Sequence, residues 1–348
     1  MDNSDKEKYL GDKIDTSGKP RATILDRKAK GYGIVGQIVA ITEEAPLGMW
    51  RMRSAMLLRD AMLVNSMLFN SEAWQGIVRD DIEQLSRVDV ALFRKLISSH
   101  SKTPSEALFL ETGQIPISFI WSSRRLLYLQ TLLKRDVTEV TRQIYETQKI
   151  DCTKGDFYQL VTKDAKSMEI EINEKEIAQM SKSTYKKFIK TKVKTAAFKH
   201  LQSLQEGHSK VKNIKYHKLQ MQPYMMHPCM NSDDIALLFA LRTRCVRGIR
   251  NDFREMFSTI RCELCDKHDD TLPNLLMCEQ LTHVPRNGSI YLDVFSQSVQ
   301  NQKESMLQYR GLLKAREGIL KKREEANLTQ DSGPLQGSNM DPLQDTIC

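Results

Sequence analysis

Residues 47–67, LGMWRMRSAMLLRDAMLVNSM, place apolar side chains on nearly every side of a predicted helix. Aliphatic residues and methionines dominate the stretch, and the charged pair Arg59 and Asp60 interrupts them. A helix that is apolar all round is buried by neighbouring elements. The stretch therefore predicts a helix enclosed by other helices, and this expectation decides the fold class.

The segments around this helix, from about Pro20 to Gln148, also have helical character. Between Asp80 and Ser98, apolar residues recur at helical spacing: Ile82, Leu85, Val88, Leu92, Phe93 and Leu96. Arg124–Leu133 predicts one more amphipathic helix. Turns followed by helix starts are predicted at Thr103–Glu106 and Gln114–Pro116. We therefore expect a mainly α protein.

Residues 31–36, GYGIVG, match the glycine pattern of dinucleotide-binding folds. That function needs a strand before the glycines and an acidic residue about 20 positions after them. The preceding residues 21–30, RATILDRKAK, are charged and helical in character, and no acid lies near Arg53. The pattern instead predicts small residues at a close approach between helices.

The chain has 348 residues and carries 52 Lys and Arg against 44 Asp and Glu, a net charge of +8. A basic balance indicates nucleic acid first and anionic membranes second. The N-terminus, MDNSDKEKYL, lacks the apolar core of a secretory signal, and no apolar run reaches the roughly 18 residues of a membrane span. Three of the seven cysteines cluster, which is typical of metal binding in a reducing compartment. We expect an intracellular protein, nuclear or cytoplasmic, with no membrane partner.

Residues 181–218 concentrate the positive charge, with eleven lysines and one acid, Glu206. This segment carries +10, so the rest of the chain sits near −2. An apolar stripe is predicted at Tyr185, Ile189, Val193, Ala196, His200 and Leu204. The predicted helix thus docks by one face and turns ammonium groups outward, where phosphates could bind them.

The candidate nucleic-acid contacts in this segment are Lys186, Lys187, Lys190, Lys192, Lys194, Lys199, Lys210, Lys212 and Lys215. The alternative is a lysine face that is solvated and binds nothing. Tyr185, Phe188 and Tyr216 are candidates for stacking on bases, although Tyr185 and Phe188 fit a core position equally well.

Residues 261–278, RCELCDKHDDTLPNLLMC, place three thiols at metal-ligand spacing. Cys262 and Cys265 form a C-x2-C knuckle, and Cys278 follows after twelve residues. Asp270 or Thr271 can cap a helix with Pro273 in its first turn, a position where the missing N–H costs nothing. We expect Cys278 to lie on that helix.

A tetrahedral ion needs a fourth ligand, and His283, four residues after Cys278, is the first candidate. His268 is the alternative, although it lies awkwardly close to the knuckle, and Asn274 is a poor ligand for zinc. A closed set of four ligands predicts a structural zinc that supports folding and leaves no position open for catalysis. The other possibility is three ordinary thiols in a degenerate site.

Several segments follow one another in a distinctive order: KYLGDKIDTSGK, RKAKGYGIVGQI, LLRDAMLVNSMLFNSEAW, SKTPSEALFLETGQIPISFI with SSRRLLYLQ, LLFALRTRC, and RCELC followed by LLMC. Their order resembles the region downstream of the catalytic palm in non-LTR (LINE-like) retrotransposon reverse transcriptases, and the likeness covers about residues 5–325. The resemblance implies a thumb-like helical region, a connection region and a Cys/His knuckle that grip template, primer or element RNA.

The resemblance also shows what this chain lacks. The family's polymerase site uses an aromatic-x-Asp-Asp turn, and no such motif occurs here. The acid pairs Asp80–Asp81 and Asp233–Asp234 have the context of helix starts, and without three converging carboxylates two-metal nucleotidyl transfer cannot be assembled. The family's knuckle carries His where this chain has Asn274. We therefore expect no catalytic residues in this chain.

The predicted division of the chain is as follows: a β-hairpin at the palm edge (1–19, turning at 16–20), a thumb-like helical region (20–150), a connection region (151–258) containing the basic segment (181–218), a zinc-knuckle-like unit (259–290), a charged helical tail (291–327) and a disordered end (328–348). The expected function is nucleic-acid binding, to RNA or DNA, by the C-terminal part of a retrotransposon polyprotein. The alternative is a helical protein-interaction scaffold whose helix at 304–327 binds a partner protein and whose zinc ion only stabilises the fold.

Overall fold

The computed structural model confirms the mainly α fold. It describes residues 6–9, 12–15, 20–44, 48–212, 214–246, 249, 261–286, 293–296 and 298–331. Two short antiparallel strands open the chain, β1 (Lys6–Tyr9) and β2 (Asp12–Asp15). Lys6 pairs with Asp15 and Tyr9 pairs with Asp12. The turn predicted at 16–20 lies, except for Pro20, outside the described residues.

The helices follow in chain order: α1 (Arg21–Glu43), α2 (Gly48–Leu58), α3 (Asn65–Met67), α4 (Arg79–Leu96), α5 (Ser105–Thr112), α6 (Ile117–Leu133), α7 (Val140–Asp151), α8 (Phe157–Ser167), α9 (Glu174–Gln179), α10 (Lys182–Glu206), α11 (Ser232–Arg242), α12 (Leu272–Leu275) and α13 (Val299–Asp331). Pro104 and Pro116 each stand directly before a helix, α5 and α6, as predicted. Within the described residues, no helix combines the length and the apolar character needed to cross a bilayer.

The central apolar stretch contains a π-helical turn that begins at a buried ion pair. A π-helical turn, Arg59–Val64, joins α2 to α3. Arg59 is 1% exposed and donates to both carboxylate oxygens of Asp89 on α4, at 2.6 and 2.7 Å. The predicted burial on every side is wrong along one edge, because Trp50 and Leu57 are exposed.

Gly31 lies where α1 meets α4 and α3. A Cβ atom at this position would come within 2.9 Å of Val88 Cγ1 and 3.0 Å of Met67 Sδ. Gly31 therefore permits the close helix approach that the glycine pattern predicts. The other two glycines, Gly33 and Gly36, face open space.

Two hydrophobic cores organise the molecule. The large core contains α1 to α5, α11 and the first part of α6, and the small core contains the second part of α6 with α7, α8 and α9. Tyr145 and Phe157 pack together in the small core, at 6.3 Å between ring centroids. The predicted boundary at residue 150 therefore cuts through one core.

The C-terminal helix α13 belongs to the body of the protein. Met306, Tyr309 and Leu312 are buried in the large core, together with Cys262 and Cys278 of the predicted knuckle. The helix continues to Asp331, past the predicted start of disorder at residue 328. Residues 332–348, which complete that prediction, lie outside the described residues.

Candidate nucleic-acid interface and metal centre

The basic segment folds mainly as α10, and this helix is shared by both cores. Ser181 caps its first turn by accepting the backbone N–H of Thr184 at 3.1 Å. The stripe is buried as predicted at Tyr185, Ile189 and Val193, all in the small core. It then continues at Ala197, Leu201 and Gln205. The predicted positions His200 and Leu204 are exposed and therefore wrong, whereas Ala196 is half-buried against the small core.

The reason for this shift is helical geometry. A step of four residues exceeds one turn of 3.6 residues, so each buried residue is rotated by about 40° from the last. The rotation turns the buried side of α10 from the small core towards the large core, which contains Ala197 and Leu201. Two cores thus fix one helix along most of its length.

Four lysines lie together on one flank of α10. Lys186, Lys190 and Lys194 are spaced by four residues and follow one another along this flank, with Lys187 beside them. All four are exposed, and within the described part of the chain none of their ammonium groups has an ion-pair or hydrogen-bond partner. We name Lys186, Lys187, Lys190 and Lys194 the lysine face.

Lys192 and Lys199 lie on the opposite flank of α10, so the structure divides the predicted set of lysines. The Lys199 ammonium pairs with Glu169 at 2.8 Å, and Lys192 donates to the backbone carbonyl of Glu169 at 3.0 Å. The hydrogen bond from Lys199 lowers the pKa of the Glu169 carboxyl. Lys192 also lies 5.9 Å from the ring centroid of Phe188.

The last part of the segment turns back towards the large core. Lys212 and Lys215 are exposed there, whereas Lys210 is half-buried and engaged with a partner. None of these three lies on α10 with the lysine face.

Two of the three aromatic residues proposed for stacking are core residues. The Tyr185 hydroxyl donates to the carbonyl of Leu126 at 3.1 Å, and burial raises the pKa of Tyr185 to about 12. The buried Tyr216 hydroxyl donates to Glu111 at 2.7 Å. Phe188 alone keeps an exposed ring edge.

The three predicted thiol ligands meet in space. The sulfur atoms of Cys262, Cys265 and Cys278 lie within 4.8 Å of one another, and this group could hold a metal ion. A tight turn positions the first two, because Asp266 donates its backbone N–H to the Cys262 carbonyl at 2.8 Å. Asp266 adopts a left-handed φ of 55°, which reverses the chain after Cys265.

Burial and hydrogen bonding act on these thiols in opposite directions. At Cys265 burial raises the pKa, but the backbone N–H groups of Lys267 and His268 and the neighbouring thiols outweigh it and bring the pKa below the usual value. At Cys278 burial raises the pKa to about 12, and the nearby Cys262 adds to this. N–H donors around Cys265 favour the thiolate that a metal ion requires.

The predicted fourth ligand is not part of this group. His283 is exposed, and within the described residues no imidazole or carboxylate atom joins the three sulfurs. Asn274 donates its side-chain amide to the carbonyl of Asp269 at 3.2 Å. Thr271 caps α12 as predicted, but that helix ends at Leu275, so the prediction that Cys278 lies on it is wrong.

Two arginines of α13 hold the cysteine loop, and sequence reasoning missed both. Arg316 is buried and pairs with Asp270 through both carboxylate oxygens, and it reaches Glu263 at 3.2 Å. Arg323 donates to the carbonyls of Glu263 and Leu264 at 2.8 and 3.0 Å. Their spacing of seven residues, about two helical turns, was the available signal that they share a face.

The two acid pairs serve as helix starts, as predicted. Asp81 accepts the backbone N–H of Val78 at 3.1 Å, and Asp234 accepts that of Asn231 at 3.2 Å. Asp234 also pairs with Arg310 of α13 at 2.7 Å. Among the described residues, the three thiols are the only group with the geometry of a metal site.

Comparison with known proteins assigns no family. No protein-family model matches this chain, and no curated protein or solved structure matches it. The resemblance to non-LTR reverse transcriptases therefore stays a prediction from the order of the sequence segments. The lysine face and the three thiols are the basis of the proposal that follows.

Proposed function

We propose that this chain binds RNA or DNA through the lysine face and forms a non-catalytic, C-terminal part of a retrotransposon-type reverse transcriptase. The observation that carries the proposal is four exposed ammonium groups on one flank of α10, without an acidic partner among the described residues. Phosphate groups spaced along a nucleic acid are the natural partners of such a row.

The two cores hold α10 in place while its lysines stay hydrated. Binding therefore needs no rearrangement of the helix, and the gain comes from releasing counterions condensed on the nucleic acid. Each neutralised phosphate contributes about 0.7 to 0.9 to the slope of log affinity against log salt, so four contacts contribute about three. Lysine contacts with phosphate carry no sequence information, so binding through the lysine face is expected to depend weakly on sequence.

The test replaces all four lysines of the lysine face with glutamine. Affinity for random RNA and DNA is measured at several salt concentrations, and the variant's salt slope is expected to be shallower by about three. A matched control replaces four exposed lysines elsewhere, Lys102, Lys154, Lys163 and Lys175, and removes the same charge. Equal slopes for parent and variant, or equal losses in variant and control, would contradict the proposal.

The three thiols are proposed to hold a structural zinc ion. Zinc binds thiolate sulfur at about 2.3 Å, and a site without an open position contributes to folding only. His283 remains the first proposed fourth ligand and His268 the second. The ion would fix the loop that Arg316 and Arg323 bind, and so join this loop to α13.

The scaffold alternative is less well supported, because α13 uses its apolar side within this chain. Residues Met306, Tyr309 and Leu312 are buried in the large core. Every residue from Lys321 to Leu328, in the last part of the helix, is exposed, and Arg323 in this part binds the cysteine loop. That part is highly charged and offers a partner one large apolar residue, Leu328. An absence of salt-sensitive binding to random RNA or DNA would favour the scaffold alternative.

A further inference from the structure

A cleft lies on the flank of α10 opposite the lysine face. It has a volume of about 790 Å³, against about 270 and 260 Å³ for two other cavities. The cleft is lined by side chains of α10 between Thr191 and Ser203, by Phe119 of α6, and by residues 167–169 at the C-terminal end of α8. Its volume lies within the roughly 300 to 1,000 Å³ typical of small-ligand sites.

The rim of this cleft carries two cations and one acid. Lys192 and Lys199 both bind Glu169, the first through its carbonyl at 3.0 Å and the second through its carboxylate at 2.8 Å. The Lys199 and Glu169 side chains are 59% and 72% exposed. Pairs exposed to this degree are weak because solvent screens them. A phosphate can therefore replace Glu169 as the partner of the two ammonium groups.

Two aromatic rings, Phe119 and His200, line the cleft. Phe119 and His200 lie 5.5 Å apart between ring centroids, with their planes inclined by 52°. The Thr195 and Ser203 hydroxyls also line the cleft, and they make no hydrogen bond to any other described residue. Aromatic faces, free hydroxyls and paired cations together match an unpaired nucleotide, whose base stacks while its sugar edge and phosphate bind polar groups.

We propose that this cleft binds one unpaired nucleotide of a single-stranded nucleic acid that also contacts the lysine face. The base lies against Phe119 and His200, and the phosphate lies between Lys192 and Lys199. The strand crosses the exposed ridge of α10 at Thr191 and Thr195, which carries no charge. This inference rests on the proposed function, and it predicts in addition that single strands bind more tightly than duplexes, because a paired base cannot enter the cleft.

The probes are a single strand of about 12 nucleotides with one 2-aminopurine, and the blunt duplex of the same sequence. The full chain is expected to bind the single strand more tightly and to quench the 2-aminopurine fluorescence. Phe119→Leu keeps apolar volume but removes the ring, so its single-strand Kd is expected to rise about tenfold while its duplex Kd stays unchanged. His200→Ala, at an exposed position, provides a second variant that leaves the core intact.

The matched control is Phe69→Leu, the same substitution at an exposed aromatic residue outside α10 and the cleft, and it is expected to leave the strand preference unchanged. Equal affinity of the parent for strand and duplex would overturn the cleft assignment while leaving the lysine face in place. An equal loss of strand preference with Phe69→Leu, or no loss with Phe119→Leu and His200→Ala, would also overturn it. Failure of the parent to bind either probe would remove the proposed function and the cleft together.

Discussion

The lysine face and the buried arginines use positive charge in opposite ways. Arg59, Arg125, Arg242 and Arg316 are each at most 5% exposed, and each binds a carboxylate on another element. The planar guanidinium group can bind a carboxylate through two parallel hydrogen bonds, which suits it to this role. The lysines of α10 remain hydrated, and those of the lysine face have no such partner. Cations inside this protein join helices, and those of the lysine face remain available for a ligand.

The difference shows why net charge alone is a poor guide to a binding surface. Acids that neutralise buried arginines can lie far away in sequence, for example Asp164 for Arg125 and Glu111 for Arg242. An arginine without a nearby acid in the sequence can therefore be fully paired in the fold. Only a segment that stays exposed and finds no acid after folding carries charge for a polyanion.

The largest expected effect comes from breaking a buried pair. Asp89→Asn keeps the shape of the side chain but removes the buried counter-charge of Arg59 and leaves it paired only with Asp60, whose side chain is largely exposed. We expect the free energy of unfolding in urea to fall by about 3 to 5 kcal/mol. The comparison variant Lys190→Gln on the lysine face should leave the urea midpoint unchanged. Similar losses in both variants would show that the exposed lysines also support the fold.

The second expected effect concerns the loop that Arg316 holds. If zinc binds the three thiols, the purified chain contains one zinc per molecule, and chelation destabilises it by about 3 kcal/mol at zinc concentrations a hundredfold above Kd. Cys278→Ser should bind no zinc, whereas Cys229→Ser, at an exposed cysteine outside the group, should bind it normally. Metal analysis and thermal unfolding measure both. A chain without zinc and with an unchanged melting temperature after chelation would mean that Arg316 and Arg323 hold the loop alone.

Variants of the two histidines then identify the fourth ligand. His283→Ala should lower zinc affinity if the exposed imidazole moves onto the ion, and His268→Ala should do so if the knuckle closes on itself. The thiol group is already assembled in the structure, so its three members need no such movement. Unchanged affinity in both variants would leave the fourth position to a group other than these two histidines.

Features set by short-range chemistry were predictable from the sequence. The helix starts after Pro104 and Pro116, the acids that begin α4 and α11, and the threonine cap of α12 each depend on residues within one turn. The meeting of the three thiols was also predictable, because ligand spacing is a local property. These features fix the starts of five helices and part of the metal site.

Features set by distant contacts were not predictable in the same way. The stripe on α10 departs from the prediction after Val193, because the helix passes from one core to another and the sequence does not mark that point. The exposed edge at Trp50 and Leu57, and the docking of α13 through Arg316, likewise depend on which surfaces meet. The helical period gives the possible faces of a helix, and the partners decide which face is buried.

The smallest expected effect concerns the exposed pair of Lys199 and Glu169. Lys199 is paired, like the buried arginines, but it is exposed, like the lysine face. This pair has the 2.8 Å geometry of a buried ion pair, but both side chains are more than half exposed. Solvent screening should therefore make its contribution to folding negligible, and the urea midpoint of Lys199→Ala should overlap that of the parent. A clear loss of stability would show that Glu169, held at a left-handed φ of 54°, depends on the lysine for its conformation. In that case Lys199 would be a structural cation of α10, and only the lysine face would remain free for phosphate.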